Sequence, residues 1–376
     1  MTNSMKLIKK IMLTTLVIIS VLFVAVYAFI QQPEFGRAPS GARLELIKKS
    51  PHYKDGSFQN LSVTPDLTEG VSYFSVMKDF IFSEKLRNKP TDTIPSVKTD
   101  LKHLDPQQDV IIWFGHSSYF MQIDGKKFLV DPVLSGAASP VAFTTRSFIG
   151  TDVYTPDDFP EIDYLLISHD HWDHLDYKTI LALKPKVGKV ITGLGTGEHF
   201  EYWGFDKNTI IEKDWNEQIE LGEGFTIYTA PARHFSGRTF ARNRAIWTSF
   251  VLIARHYKLY IGGDSGYDTH FAEIGKKFGT FDLAILENGQ YDKSWKYIHM
   301  LPDEVLKAAK DLNAKRLFPV HSSKFALGNH SWDEPLRKIT ELNQSPGIPL
   351  VTPVIGQPVL LKDSTQTFKK WWEGLN

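Results

Sequence analysis

The hexapeptide His169-Asp170-His171-Trp172-Asp173-His174 directly follows the apolar run Tyr164-Leu165-Leu166-Ile167, and this junction decides the fold. Where a chain offers no thiolate, imidazole nitrogens and carboxylate oxygens are the usual zinc ligands, each reaching the ion at about 2 Å. This chain contains no cysteine. On an extended strand exit the alternate residues His169 and His171 can turn two rings the same way, while Asp173 and His174 begin the next turn and face a second position. Two metal positions are implied. Four side chains cannot complete two coordination spheres, so further ligands must come from later strand ends. His234 follows the apolar run 225–229, Asp264 follows 259–262, and His321 closes 316–320. Taken alone each would be an ordinary loop residue; their shared context, a polar group just past an apolar strand, groups them with the hexapeptide.

Around these junctions, short β-rich runs occupy 110–114, 119–123, 127–130, 164–167, 189–192, 209–212, 225–229, 249–254, 259–262, 283–286 and 316–320, and Asp124-Gly125 marks a hairpin turn. Helical stretches fall at 177–183, 197–203, 270–278, 302–312 and 334–342. Hairpins come early and strand-helix alternation comes late. That order predicts an α/β fold with mixed sheets and helices outside, in a domain over 107–376.

Residues 31–106 read differently. Prolines at 33, 39, 51, 65, 90, 95 and 106 punctuate an extended lead segment that wraps the domain, with one helix expected over 71–87. Before it, the stretch 11–30 holds no charge, and at about 1.5 Å per residue it is long enough to cross about 30 Å of hydrocarbon. Residues 1–30 are therefore expected to be a single-pass membrane anchor, the alternative being a signal peptide cut near Val26-Tyr27-Ala28. Lys6, Lys9 and Lys10 precede the apolar stretch and favour a catalytic portion outside the cytoplasm.

Composition narrows the function. The 376 residues carry 43 basic and 43 acidic side chains, net charge zero, and 42% are hydrophobic. A disordered chain is excluded, as are disulfides, thiolate metal sites and cysteine nucleophiles. With no global positive field, nucleic acid is not an expected partner.

The series His-x-His-x-Asp-His, then His234, Gly263-Asp264 and Val320-His321, resembles the ligand series of the metallo-β-lactamase superfamily. The branch that contains N-acyl-phosphatidylethanolamine phospholipase D is the most similar. Gly115-His116-Ser117-Ser118, Val130-Asp131-Pro132, Pro231-Ala232-Arg233-His234, Gly263-Asp264-Ser265-Gly266-Tyr267, Tyr297-Ile298-His299 and, in the lead segment, Asp55-Gly56-Ser57-Phe58-Gln59-Asn60 carry that likeness. It spans residues 50–360. It implies a four-layer αββα sandwich with His169, His171 and His234 on one zinc, Asp173, His174 and His321 on a second, and Asp264 bridging them. Two positions depart from the branch: Trp172 stands where a tyrosine is usual, and Glu287 lies in a strand exit that is apolar there.

The expected chemistry is hydrolysis of a small-molecule or phospholipid-like phosphodiester by a metal-bound hydroxide, with Asp173, Asp264 and His299 as catalytic residues. Manganese or iron would suit the same donors. Substrate contacts are expected from His299, His116 and Arg238, the last within a group of arginines at 233, 238, 242 and 244 interleaved with Phe235, Phe240 and Trp247; for His116 the alternatives are to orient a metal ligand or to make a structural hydrogen bond within the sandwich. The alternative for the arginine group is a solvated loop. The tail Phe368-Lys369-Lys370-Trp371-Trp372 is either an interfacial segment or a docked one. Two other functions stay open: a lactonase or other acyl hydrolase of the same fold, and a non-catalytic metal-dependent binding module at the membrane.

Overall fold

A computed structural model describes residues 3–82 and 87–376. Helix α1 (Asn3–Ile30) is 28 residues long with none of them buried. Its length and composition fit a membrane span. The lead segment then runs over the body as α2 (Gly41–Ile47), the hairpin β1 (Tyr53–Lys54) and β2 (Ser57–Phe58), and α3 (Tyr73–Phe82). Of the helix expected over 71–87, residues 83–86 lie outside the described ones. Asp55 and Gly56 turn the hairpin at φ 51° and 79°, left-handed values that suit these two residue types. Ile47 and Phe58 anchor the segment against Leu194, Trp215, Ala232, Ile246 and Trp247.

Strands β3 (Val110–Trp113), β4 (Tyr119–Ile123) and β5 (Lys126–Val130) form an antiparallel meander. Strand β6 (Ile162–Ile167), helix α4 (Tyr177–Leu183), β7 (Val187–Gly193), α5 (Gly197–Tyr202) and β8 (Ile210–Lys213) extend it in parallel. The second half repeats the plan. Strands β9 (Gln218–Gly222), β10 (Phe225–Ala230), β11 (Ser249–Ile253) and β12 (Lys258–Ile261) are antiparallel. Helix α6 (His270–Phe278), β13 (Leu283–Glu287), α7 (Pro302–Asp311) and β14 (Leu317–Val320) then continue in parallel. After α8 (Glu334–Leu342), β15 (Pro358–Leu360) returns to pair with β3. The sheet orders are β15-β3-β4-β5-β6-β7-β8 and β14-β13-β12-β11-β10-β9.

The sheets pack face to face through Ile111, Trp113, Met121, Phe128 and Leu166 from one, and Ile227, Phe250, Leu252, Ile261, Ile285 and Phe318 from the other. On the outer face of the first sheet, Leu165, Ile167 and Val190 meet Ile180, Leu183 and Phe200 of α4 and α5. Val251, Tyr260 and Ala284 meet Phe271, Ile274, Val305 and Ile339 of α6, α7 and α8 on the second. The result is the αββα sandwich. Its inner strands are covered on both faces, which is why they read as continuous apolar runs rather than alternating ones. Fully burying each such side chain contributes about 1.5–3 kcal/mol.

Strands β9 and β15 escaped the sequence reading for physical reasons. Strand β9 is an edge, Gln-Ile-Glu-Leu-Gly, with only Ile219 buried, and β15 is three residues long. The tail is docked: Trp372 is buried in the inter-sheet core, and Trp371 Nε1 donates to the Pro353 carbonyl at 3.1 Å.

Candidate metal centre

The polar residues just past β6, β10, β12 and β14 meet at one edge of the sandwich. His169 Nε2 and His171 Nδ1 are 2.9 Å apart, and His234 Nε2 lies 3.2 Å from the same Nδ1. In a second group, His174 Nε2 is 3.5 Å and His321 Nε2 is 3.3 Å from Asp173 Oδ2. Between the groups, Asp264 Oδ2 lies 3.2 Å from both His174 Nε2 and His321 Nε2, 3.7 Å from His234 Nε2 and 3.9 Å from His169 Nε2. Ligands about 2.1 Å from a tetrahedral ion stand about 3.4 Å from each other. These separations bracket that value, so both groups fit a divalent cation. His174 Nε2 and Asp264 Oδ1 are buried without a hydrogen-bond partner, which is what donors reserved for a cation require.

The surroundings fix which atom each ring presents. His234 Nδ1 donates to the Ile298 carbonyl at 2.9 Å. His174 Nδ1 donates to Asp131 Oδ2 at 2.9 Å, and His169 Nδ1 to Ser168 Oγ at 2.9 Å, whose hydroxyl donates in turn to Asp131 Oδ2 at 2.6 Å. Nε2 of each ring is left for the cluster. Asp131 and Ser168 thus support two histidines at once, a role invisible in a Val-Asp-Pro turn and a lone serine. His116, Asp131 and His321 hold left-handed φ of 52°, 41° and 67°. This costly backbone is kept by the bonds His116 N to the Ser322 carbonyl and His321 N to the His116 carbonyl, both 2.9 Å.

Charge separates the two groups. Burial lowers His171 to about 4, and holds His169 and His234 well below the usual histidine range, so these rings are neutral. In the second group burial again opposes charge, but Asp264 outweighs it. His321 is raised to about 10, and His174 is raised by Asp264 and Asp173. Asp173 and Asp264 are held below the ordinary carboxylate range against burial, with His174 the main cause. The group pairs charged imidazoles with charged carboxylates.

A cavity of about 300 Å³ opens over the cluster. His299 lines it, with Nδ1 donating to Glu287 Oε2 at 2.6 Å. Glu287 Oε2 also lies 3.2 Å from His321 Nδ1, so the departure noted in sequence is a buried carboxylate between two imidazoles. Asp66, Leu67 and Tyr73 of the lead segment line the same cavity with Arg242; Asp66 Oδ2 accepts from Tyr73 at 2.7 Å and from Arg242 at 2.8 Å. Nothing local in the sequence marks Asp66 or Tyr73. Asn60, already noted in the Asp55–Asn60 stretch, brackets the His234 backbone, accepting from its N–H at 3.0 Å and donating to its carbonyl at 2.8 Å.

Two expected substrate residues sit elsewhere. His116 is fully buried and its Nε2 lies 2.8 Å from Asp173 Oδ2; burial lowers it to about 3. It supports Asp173 and does not face the cavity. Arg238 is buried too, its NH1 donating to the carbonyls of Asp170 at 2.9 Å and Leu175 at 2.7 Å. The expected arginine rim therefore reduces to Arg242: backbone carbonyls took Arg238, and the Gly56 carbonyl holds Arg244.

Residues 126–322 match the model of the Beta-lactamase superfamily domain. The chain belongs to the metallo-β-lactamase superfamily. Within that superfamily, an uncharacterized protein of Mycobacterium tuberculosis is 33% identical over 333 residues, 87% of this chain and 88% of the relative. The N-acyl-phosphatidylethanolamine-hydrolyzing phospholipase D 1 of Caenorhabditis elegans is 31% identical over 317 residues, 76% of this chain and 84% of the relative. Among solved structures, the diiron β-hydroxylase CmlA of Streptomyces venezuelae has the same fold, with TM-score 0.52 and 19% identity over 68% of this chain and 55% of that one.

Proposed function

We propose that the chain is a membrane-anchored binuclear zinc hydrolase that cleaves phosphodiesters of phospholipid-like substrates. One observation carries the reading: a single carboxylate oxygen, Asp264 Oδ2, stands within 3.9 Å of Nε2 of four histidines drawn from two groups. His169, His171 and His234 would hold one ion, Asp173, His174 and His321 the other, and Asp264 would contribute to both. Zinc bound there would supply Lewis acidity and a source of hydroxide at neutral pH. The same donors suit manganese or iron, and the diiron centre of CmlA is an instance of iron in this fold.

The chain's own groups handle the substrate. His299, its Nδ1 taken by Glu287, turns Nε2 toward a non-bridging oxygen, and Arg242 offsets the phosphate charge at the cavity wall. Leu67, Trp295, Ile298 and Leu327 line the remainder and exclude water. The phospholipase relative supports a lipid phosphodiester. Residues 1–30 anchor the chain with the body outside the cytoplasm, 31–106 wrap that body, and 107–376 form the hydrolase domain.

The test is metal analysis of the full chain purified in detergent, run beside turnover of bis(p-nitrophenyl) phosphate and a lactone panel. Two ions per chain with phosphodiester cleavage are expected. Lactone opening alone would make it an acyl hydrolase, and metal without turnover of either class would make it a binding module.

A further inference from the structure

Residues 33–37, which begin two positions beyond the anchor, are gripped from several sides by side chains at and around the metal loop. Trp203 Nε1 donates to the Pro33 carbonyl at 2.7 Å, and Arg238 Nε and NH2 donate to the Glu34 carbonyl at 3.1 and 2.7 Å. Phe35 is buried, packing edge-on against Phe29 of α1 at 5.2 Å and Trp172 at 4.9 Å between ring centres. Arg37 N donates to His199 Nδ1 at 3.1 Å, leaving Nε2 to pair with Asp170 Oδ2 at 3.2 Å. Gly36 has φ 69°, and a Cβ there would fall 1.9 Å from His199 Nδ1.

The far ends of these contacts lie inside the hexapeptide. Trp172 sits between His171 and Asp173, and the Arg238 guanidinium covers its ring at 3.9 Å while holding the Asp170 and Leu175 carbonyls. Asp170, between His169 and His171, also accepts from Gly237 N at 2.6 Å. A satisfied juxtamembrane linker would need none of this: a solvated backbone pairs with water, and nothing forces it against a metal loop.

We propose that residues 33–37 are a positioning clamp for the metal loop, so that membrane attachment and ligand geometry share one set of contacts. Phe35 and the Glu34 carbonyl set the Trp172–Arg238 stack, and that stack fixes the backbone from Asp170 to Leu175, on which His171, Asp173 and His174 ride. The inference rests on the metal reading above; residues 33–37 precede the span 50–360 that carries the family likeness, and the side chains they touch lie within it. Neither residues 33–37 nor Trp172, Trp203, His199 and Arg238 line the cavity over the cluster.

Cobalt(II) titration of the full chain in detergent, well below its melting temperature, tests it by visible spectrum and affinity. Gly36→Ala, which cannot seat against His199, is expected to weaken cobalt binding about tenfold or more and to shift its bands. Trp172→Tyr, which keeps a ring against Phe35, stays within about threefold of wild type, whereas Trp172→Leu follows Gly36→Ala. Val359→Ala, at the opposite sheet edge, lowers the melting temperature without moving the spectrum. The clamp is overturned if folded Gly36→Ala binds cobalt like wild type, or if the losses merely track melting temperature across all four variants. A wild-type chain that binds no cobalt would instead reject the metal reading itself.

Discussion

His169, His171 and His234 meet as three neutral rings, whereas Asp173, His174 and His321 meet as a carboxylate between two protonated ones. Both triads sit at one sheet edge and differ in what stands behind them. The first leans on a backbone carbonyl and a serine. The second is backed by Asp131, Glu287 and His116. Neighbouring ligand sets at one edge are thus given two electrostatic settings. The neutral triad holds no carboxylate of its own and feels those of Asp173, Asp170 and Asp264; the second includes one, Asp173.

That contrast can be broken most severely at the residue both triads share. Asp264→Asn is expected to reduce phosphodiester turnover by about 10³-fold or more and to lower metal content at both positions; loss of one ion with the other retained would make the carboxylate private to one triad. Removing one triad at a time comes next. His321→Ala and His234→Ala should each bring the metal count from two to about one, read by elemental analysis, and cobalt added back should show different spectra in the two variants.

A pH titration of metal affinity sharpens the comparison further. His171 is lowered to about 4, so the first triad needs no deprotonation above about pH 5, and its affinity should be flat. His321 is raised to about 10, so its proton must leave before a cation binds, and second-site affinity should climb as pH rises toward 10. Calorimetry at pH 7 in buffers of different ionisation enthalpy should find protons released on filling the second site and essentially none on filling the first. Equal release at both would contradict the charge assignment. Asp131→Asn, which leaves both ligand sets intact, should weaken metal binding by about 10-fold to 100-fold.

The gathering of the seven polar side chains was legible because each follows an apolar strand, β6 in one sheet or β10, β12 or β14 in the other, and these strands deliver their ends to one edge. Their supports were not. Asp131 reads as a turn residue, and Asp66 and Tyr73 reach the cavity from the lead segment, Asp66 bonding Arg242 from 176 positions away, with no periodic pattern to announce it. Arg238 was misassigned for a related reason: an arginine in a loop rich in arginines looks solvated, and only the fold reveals that backbone carbonyls and the Trp172 ring enclose it.

The smallest expected effect falls at the cavity wall. Arg242 is partly exposed and shares Asp66 with Tyr73, so Arg242→Ala should raise KM about 3-fold to 10-fold with kcat nearly unchanged. A kcat loss exceeding the KM change would move Arg242 into the reacting machinery.

Anomalous diffraction from crystals of the full chain grown with zinc tests the shared-carboxylate claim most directly. Two peaks are expected, one among His169, His171 and His234 and one among Asp173, His174 and His321, each in contact with Asp264. A single peak, or two of which only one touches Asp264, would contradict it.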